Sequence, residues 1–263
     1  MKRHGYLTPF LAVCILLTQL GHCPPGLNAG ADIWTTSGPV LGAVYDLAVG
    51  SEQGTAYAAI FDQKAVFRTT DYGASWQRLD SGISEGDAIH SVAVAGGTGD
   101  VLYALGFSTV YKSTDTGSHW VPVLELGGGP TATLGDRHDI LVSQKDPSAL
   151  VVLGESGIFR SIDAGATWTH VWSSAVGGLG VGRRLFVGPQ PDVIYAVPAL
   201  GQALRSADGG QNWAPTAMPQ QALCMAFDPT NESIIYVGTT GLGVLKSVDS
   251  GESWQPEYTG NLP

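Results

Sequence analysis

The stretch Ser161-Ile162-Asp163-Ala164-Gly165-Ala166-Thr167-Trp168 decides the fold, because its pattern, Ser/Thr-x-Asp-x-Gly-x-x-Trp, occurs five times in the chain. The other copies are Thr69/Asp71/Gly73/Trp76, Ser113/Asp115/Gly117/Trp120, Ser206/Asp208/Gly210/Trp213 and Ser247/Asp249/Gly251/Trp254. Successive aspartates lie 44, 48, 45 and 41 residues apart. A period of that length marks one supersecondary unit repeated along the chain.

Working outward from the motif, every unit has the same order. An apolar strand comes first (Leu47-Ala48-Val49, Val92-Ala93-Val94, Ile140-Leu141-Val142, Leu185-Phe186-Val187, Met225-Ala226-Phe227). After a Gly/Pro/Asp turn a second follows, for example Val101-Leu102-Tyr103-Ala104 or Ile234-Ile235-Tyr236-Val237. A third runs into the motif through Val66-Phe67-Arg68 and its counterparts, and a fourth leaves from the Trp. Short β-branched and aromatic runs between turn residues predict antiparallel strands, and no long stretch after residue 31 has the 3.6-residue apolar period of a helix. A small sheet cannot bury both faces alone, but copies set around an axis cover one another. The reading is an all-β, single β-propeller of four-stranded antiparallel blades. Five blades is the expectation, with a six- or seven-bladed form as the alternative. Trp34 resembles a motif Trp with its outgoing strand, so an N-terminal strand is expected to meet the C-terminal unit and seal the ring.

The repeats resemble the Asp-box, or bacterial neuraminidase (BNR), repeat of sialidases, sortilin-like receptors, xyloglucan-cleaving enzymes and a photosystem II assembly factor, and the resemblance covers essentially residues 32 to 263. Within the motif, Asp and Ser/Thr side chains are expected to bond turn backbone, Gly to supply a positive φ, and Trp (Trp76, Trp120, Trp168, Trp213, Trp254) to lie back over the hairpin. That structural role accounts for all five copies without a ligand. The cation before each motif (Arg68, Lys112, Arg160, Arg205, Lys246) recurs in every unit and is expected to cover its sheet.

The chain starts with Lys2 and Arg3, an apolar run from Leu7 to Leu20, and Ala29-Gly30-Ala31, the order of a secretory signal. Residues 1–31 are therefore expected to be removed, leaving a secreted, periplasmic or extracellular chain from about Asp32. Lipid anchoring at Cys23 is the minor alternative. No later run is long enough to span a bilayer. Without residues 1–31, 11 Lys and Arg stand against 23 acids, a net charge of −12, which argues against a nucleic-acid partner. Cys224 is the one cysteine after the signal, so no internal disulfide is expected there. No Cys/His zinc spacing or phosphate-cradling loop occurs, and neither metal nor cofactor is expected.

Function should reside where the repeats differ. Aligning the first strands places Asp46, Ser91, Asp139, Arg184 and Cys224 in one column, and Tyr45, His90, His138, Arg183 and Leu223 in the column before. With Asp87 and Arg137, these make Tyr45, Asp46, Asp87, His90, Arg137, His138, Asp139, Arg183 and Arg184 the candidate channel-face binding residues. A protein or carbohydrate ligand, held by a non-catalytic monomer, is the leading expectation. The resemblance to sialidases implies three arginines, one in a Phe-Arg-Ile-Pro segment, and a Tyr/Glu pair; that segment is absent from the sequence. A glycoside hydrolase of the xyloglucanase kind needs two carboxyl groups across a cleft, and Asp46, Asp87 and Asp139 are its possible suppliers.

Overall fold

Apolar second-strand runs such as Tyr57-Ala58-Ala59-Ile60 and Leu150-Val151-Val152-Leu153 are buried on both faces, and the strands assemble as five separate four-stranded sheets. The computed structural model describes residues 42–96, 99–126, 139–154, 156–173, 184–190, 192–198, 202–219 and 222–257, all within one compact unit, Ser37–Pro263. Blade 1 is β1 (Val44–Val49), β2 (Ala56–Ile60), β3 (Ala65–Thr69) and β4 (Gln77–Leu79). Blade 2 is β5 (Ser91–Ala95), β6 (Val101–Leu105), β7 (Thr109–Ser113) and β8 (Val121–Glu125). Blade 3 is β9 (Asp139–Val142), β10 (Leu150–Gly154), β11 (Gly157–Ser161) and β12 (Thr169–Trp172). Blade 4 is β13 (Arg184–Val187), β14 (Ile194–Val197), β15 (Leu204–Ser206) and β16 (Ala214–Pro215). Blade 5 is β17 (Ala222–Phe227), β18 (Ile235–Thr239), β19 (Val244–Ser247) and β20 (Gln255–Pro256).

Strand order in every sheet follows chain order, all pairs antiparallel. The protein is a five-bladed β-propeller, and no helix occurs among the described residues. All four strands of blade 5 come from the C-terminal unit; Trp34, expected to help seal the ring, lies outside the described residues, as do the signal and Cys23.

The core lies between blades. Tyr57, Ala59, Val66 and Leu79 of blade 1 meet Val92, Leu102, Ala104, Tyr111 and Trp120 of blade 2. Three further clusters join blades 2 to 3, 3 to 4 and 4 to 5. Trp120 is 1 % exposed; truncating such a residue to Ala costs about 3–5 kcal/mol. No cluster described joins blade 5 to blade 1. Instead Leu223 and Val244 of blade 5 are 46 % and 45 % exposed, and Cys224 is half-buried.

Each motif forms a hook between the third and fourth strands. In blade 3, Ser161 Oγ donates to Asp163 Oδ1 (2.8 Å) and accepts the Gly165 N–H (2.9 Å). Asp163 Oδ1 also accepts the Thr167 N–H (2.8 Å) and Oδ2 the Thr167 hydroxyl (2.6 Å). These donors hold the Asp163 carboxyl down at about 2, the Thr167 hydroxyl contributing most. The residue between Asp and Gly is left-handed in all five hooks: Tyr72, Thr116, Ala164, Gly209 and Ser250 have φ of 56–67°. The following Gly has φ of 82–94°, where a side chain is strained.

The five tryptophans, each expected to lie back over its hairpin, are not equivalent. The Trp168 and Trp213 indoles do close their hooks, donating to the carbonyls of Gly165 (3.1 Å) and Gly210 (3.0 Å). Four of the five also enter the core shared with the preceding blade: Trp120 between blades 1 and 2, Trp168 between 2 and 3, Trp213 between 3 and 4, and Trp254 between 4 and 5. Trp254 and Trp120 bury their indole N–H without an acceptor among the described residues. Trp76 is the exception. It is half-buried and belongs to no described cluster, and no blade before blade 1 stands among the described residues to cover it. Its ring stays by its own hook, with Nε1 3.9 Å from where a Cβ on Gly73 would stand. None of the five begins the fourth strand, which starts one residue later, as at Gln77 after Trp76, Ala214 after Trp213 and Gln255 after Trp254.

The cation before the motif does more than cover its own sheet. Lys112 Nζ donates to the Ala164 carbonyl (2.7 Å), and Arg160 Nε to that of Gly209 (2.9 Å), each on the hook of the next blade. In these blades the cation is a latch between neighbours, whereas Arg205 buries its Nε without an acceptor among the described residues and Lys246 approaches Glu257 (3.4 Å).

Candidate functional site on the face opposite the hooks

The hooks end the third strands, whereas the β2–β3 and β6–β7 turns begin them, so the turns lie on the opposite face. On that face the candidate residues fall into two groups with different chemistry.

The first group is a polar belt along the first strands. Asp46 Oδ2 accepts the Val92 N–H of the next blade (3.0 Å), and Asp139 Oδ2 accepts that of Leu185 (2.8 Å). Ser91 Oγ lies between the carboxyls, 2.6 Å from Asp46 Oδ2 and 3.0 Å from Asp139 Oδ1. Arg184 Nε stands 3.9 Å from Asp139 Oδ2, with its guanidinium over the Phe186 ring. A serine hydroxyl has one hydrogen, so both short contacts are satisfied together only when one carboxyl is protonated and donates to Oγ. Burial is the main cause that pushes Asp46 up to about 6, helped by the neighbouring Asp139 charge. Burial also raises Asp139, against the pull of Arg184 and the Leu185 N–H. One proton is therefore shared by the pair across Ser91. The belt joins blades through backbone N–H groups, and its carboxyls face protein donors.

The second group is aromatic. Tyr45 of β1 stacks on Phe61, which follows β2 (centroids 4.7 Å, interplanar 21°). The buried His90 ring lies among Tyr45 (5.7 Å), Phe61 (5.2 Å) and Phe107 (4.2 Å). Tyr45, Phe61 and Phe107 are half-buried, leaving ring surface at the solvent. Beside them opens a cleft of about 500 Å³ whose lining includes Ile83, Ser84, Phe107, Ser108, Tyr111 and Glu125. Its floor is Asp87, 3 % exposed. The Asp87 carboxylate accepts the N–H groups of Phe107 (2.6 Å) and Ser108 (3.2 Å) and the Tyr111 hydroxyl (3.1 Å). It thus braces the β6–β7 turn that presents Phe107. A Cβ on Gly106 would come within 2.4 Å of the Asp87 carboxyl carbon, so the turn passes too close for any side chain there.

The structure therefore brings Asp46, Asp139 and Arg184 together through Ser91, and sets Tyr45, His90 and Asp87 around a separate aromatic patch. Arg137, His138 and Arg183 lie outside the described residues. Phe61 and Phe107 were not among the sequence-derived candidates. Each ends or follows a second strand at a turn where the other units have no aromatic ring, a disagreement between repeats that sequence alignment of the second strands would expose. No three His, Cys, Asp or Glu side chains converge on a metal-sized point among the described residues. No described helix is long and apolar enough to cross a membrane.

No family model matches the chain, and no curated protein matches it. Solved structures do. An ancestral GH74 enzyme aligns with a TM-score of 0.64 at 18% identity, over 81% of this chain and 31% of its own. The GH74 xyloglucanase from Xanthomonas campestris gives 0.60 at 19%, over 80% and 37%. YCF48 bound to D1 peptide gives 0.58 at 15%, over 87% and 73%. The chain spans about a third of the length of the two GH74 enzymes. At these identities the likeness is one of fold, and it defines this protein as a member of the β-propeller class.

Proposed function

We propose that this chain is an Asp-box (BNR-repeat) propeller, exported by the signal in residues 1–31, whose domain from about residue 32 binds a protein or glycan partner without catalysis. The five hooks, with their Ser–Asp–Gly bonding repeated in each blade, support the repeat assignment. The binding surface is the aromatic patch of Tyr45, Phe61, His90 and Phe107 with the adjoining cleft.

The observation that carries the non-catalytic reading is the commitment of the two closest candidate carboxyls. Asp46 and Asp139 each accept a backbone N–H of the neighbouring blade and share Ser91, so neither is left to protonate a leaving group or activate a water. Half-buried rings beside hydroxyl-bearing turns suit sugar faces or apolar peptide side chains. A neighbour of this fold is described bound to a peptide.

Hydrolysis is the competing reading, favoured by the raised Asp46 carboxyl and the likeness to xyloglucanases. One experiment separates the two. The protein is screened on glycan and peptide arrays while reducing-sugar release from β-glucans is followed, with Phe107→Ala and Asp139→Asn in parallel. Retention that Phe107→Ala abolishes, with no sugar released, is expected. Sugar release lost in Asp139→Asn refutes the binding reading.

A further inference from the structure

At each of the four internal junctions, the third-strand cation, a second-strand tyrosine or, between blades 2 and 3, both reach the next hook at one residue, the left-handed one between Asp and Gly. Tyr103 Oη and Lys112 Nζ both donate to the Ala164 carbonyl (2.9 and 2.7 Å). Arg68 Nη1 donates to Thr116 Oγ1 (3.3 Å), Arg160 Nε to Gly209 O (2.9 Å), and Tyr195 Oη to Ser250 O (3.3 Å). A blade thus has a hook on one face and a latch on the other.

The two terminal blades each keep one half of this junction unused. Blade 5 carries the latch pair, with Lys246 Nζ 5.3 Å from the Tyr236 ring centroid. No hook is set against it among the described residues, and Lys246 instead approaches Glu257 (3.4 Å). Tyr236 is half-buried, whereas Tyr57, Tyr103 and Tyr195 are sealed. Leu223, Leu242 and Val244 leave apolar surface on the same blade. At the other end, the blade 1 hook is the one with its left-handed residue exposed: Tyr72 is 65 % accessible, while Thr116, Ala164, Gly209 and Ser250 are half-buried. Gly73 is half-buried where Gly117, Gly165, Gly210 and Gly251 are buried.

We propose that the open face of blade 5 docks the blade 1 hook of a second copy of this chain, with Tyr236 and Lys246 directed at Tyr72. The two halves are complementary: each of the four internal junctions sets at least one of these latch groups on the next hook, and blade 5 carries both. Within one chain Tyr72 and Val244 both stay exposed, so the chain's own two halves do not cover each other. A latch-to-hook contact joins different patches, so it either closes into a cyclic assembly or continues as a filament.

Sedimentation velocity and light scattering on the full chain, over about a hundredfold range of concentration, test this by mass action. The wild type should rise to at least twice the monomer mass. Val244→Lys spoils the blade 5 face, and Tyr72→Lys sets a second cation before Lys246; both positions are exposed, so the fold should tolerate them. Each variant alone should need at least tenfold higher concentration to assemble. Mixed, the variants supply one intact face and one intact hook and should form dimers that grow no further. Hydrogen exchange in wild-type residues 235–247 should slow as concentration rises, a reading that needs no variant. A wild type that stays monomeric, an assembly indifferent to both substitutions, or a mixture that fails to pair would each overturn the proposal.

Discussion

Replacing Asp46 with Asn interrogates the belt directly. The folded carboxyl is raised from 3.8 to about 6, while the unfolded chain keeps the ordinary value. A raised folded value means that the native state binds the proton more tightly, so the stability it contributes is complete below pH 4. It is lost as pH rises through 6, and the curve is flat beyond. The shift corresponds to about 3 kcal/mol, an upper bound for a carboxyl that keeps some exposure. Asn cannot titrate, so this pH dependence disappears with it. Asn has one acceptor and one donor end, and the wild-type carboxyl accepts the N–H groups of both Leu47 and Val92. One of those donors is left unpaired, at about 1–3 kcal/mol. Urea unfolding of both proteins from pH 4 to 7.5 should therefore show Asp46→Asn less stable at the acid end and level with wild type near neutrality. The difference between the proteins cancels the other titrating groups. A gap that stays constant across this range would mean that Asp46 is charged in the folded protein and that Ser91 does not bridge a shared proton.

Further outcomes follow from the hooks and the core. Ser161→Ala leaves the Gly165 N–H without its acceptor in a buried position and should lower stability by about 1–3 kcal/mol in denaturant titration. Gly117→Ala combines φ of +90° with a Cβ 2.6 Å from Leu79 Cδ1, and should lower the melting temperature more than Gly243→Ala, whose Cβ meets nothing within 4 Å. Trp120→Ala should cost about 3–5 kcal/mol with loss of the most buried indole fluorescence, and Trp76→Ala, outside the clusters between blades, should cost less in the same denaturant titration. Asp71, Asp163 and Asp249 are held at about 2 by their hook donors. Their contribution is full above pH 4 and fades as pH falls toward 2, so an acid melt is expected there and should shift upward in pH when Ser75, Thr167 and Ser253 are changed to Ala.

The repeats made the blades legible because each hook is a local object: Ser161, Asp163, Gly165 and Trp168 satisfy one another within eight residues, so the sequence carries the whole instruction. Strand identity followed for the same reason, since Val152 between Ile140 and Phe159 is one sheet whatever surrounds it. The second duty of the tryptophans was not legible: Trp76, Trp213 and Trp254 read alike in their motifs, and only packing against a preceding blade, which Trp213 and Trp254 have and Trp76 lacks among the described residues, separates them. The belt was legible as a column, Asp46, Ser91, Asp139 and Arg184, but not as chemistry. Whether two acids face solvent or a neighbour's N–H depends on how adjacent first strands are staggered, a distance no single repeat encodes. The aromatic patch was half visible: Tyr45 and His90 stood out as variable positions, whereas Phe61 and Phe107 lie 46 residues apart in turns and meet only across the junction of two blades.

What the sequence determined by itself, then, was every feature made of contacts within one unit: strand order, hooks and the repeated cation. Tertiary structure decided what each unit does to the next. It turned the cation into a latch, committed the first-strand acids to backbone, gathered four rings from two blades, and left one face of blade 5 and the hook of blade 1 uncovered. Those outcomes depend on the angle and offset between sheets, which are set by the summed packing of the apolar clusters between blades and by no local pattern.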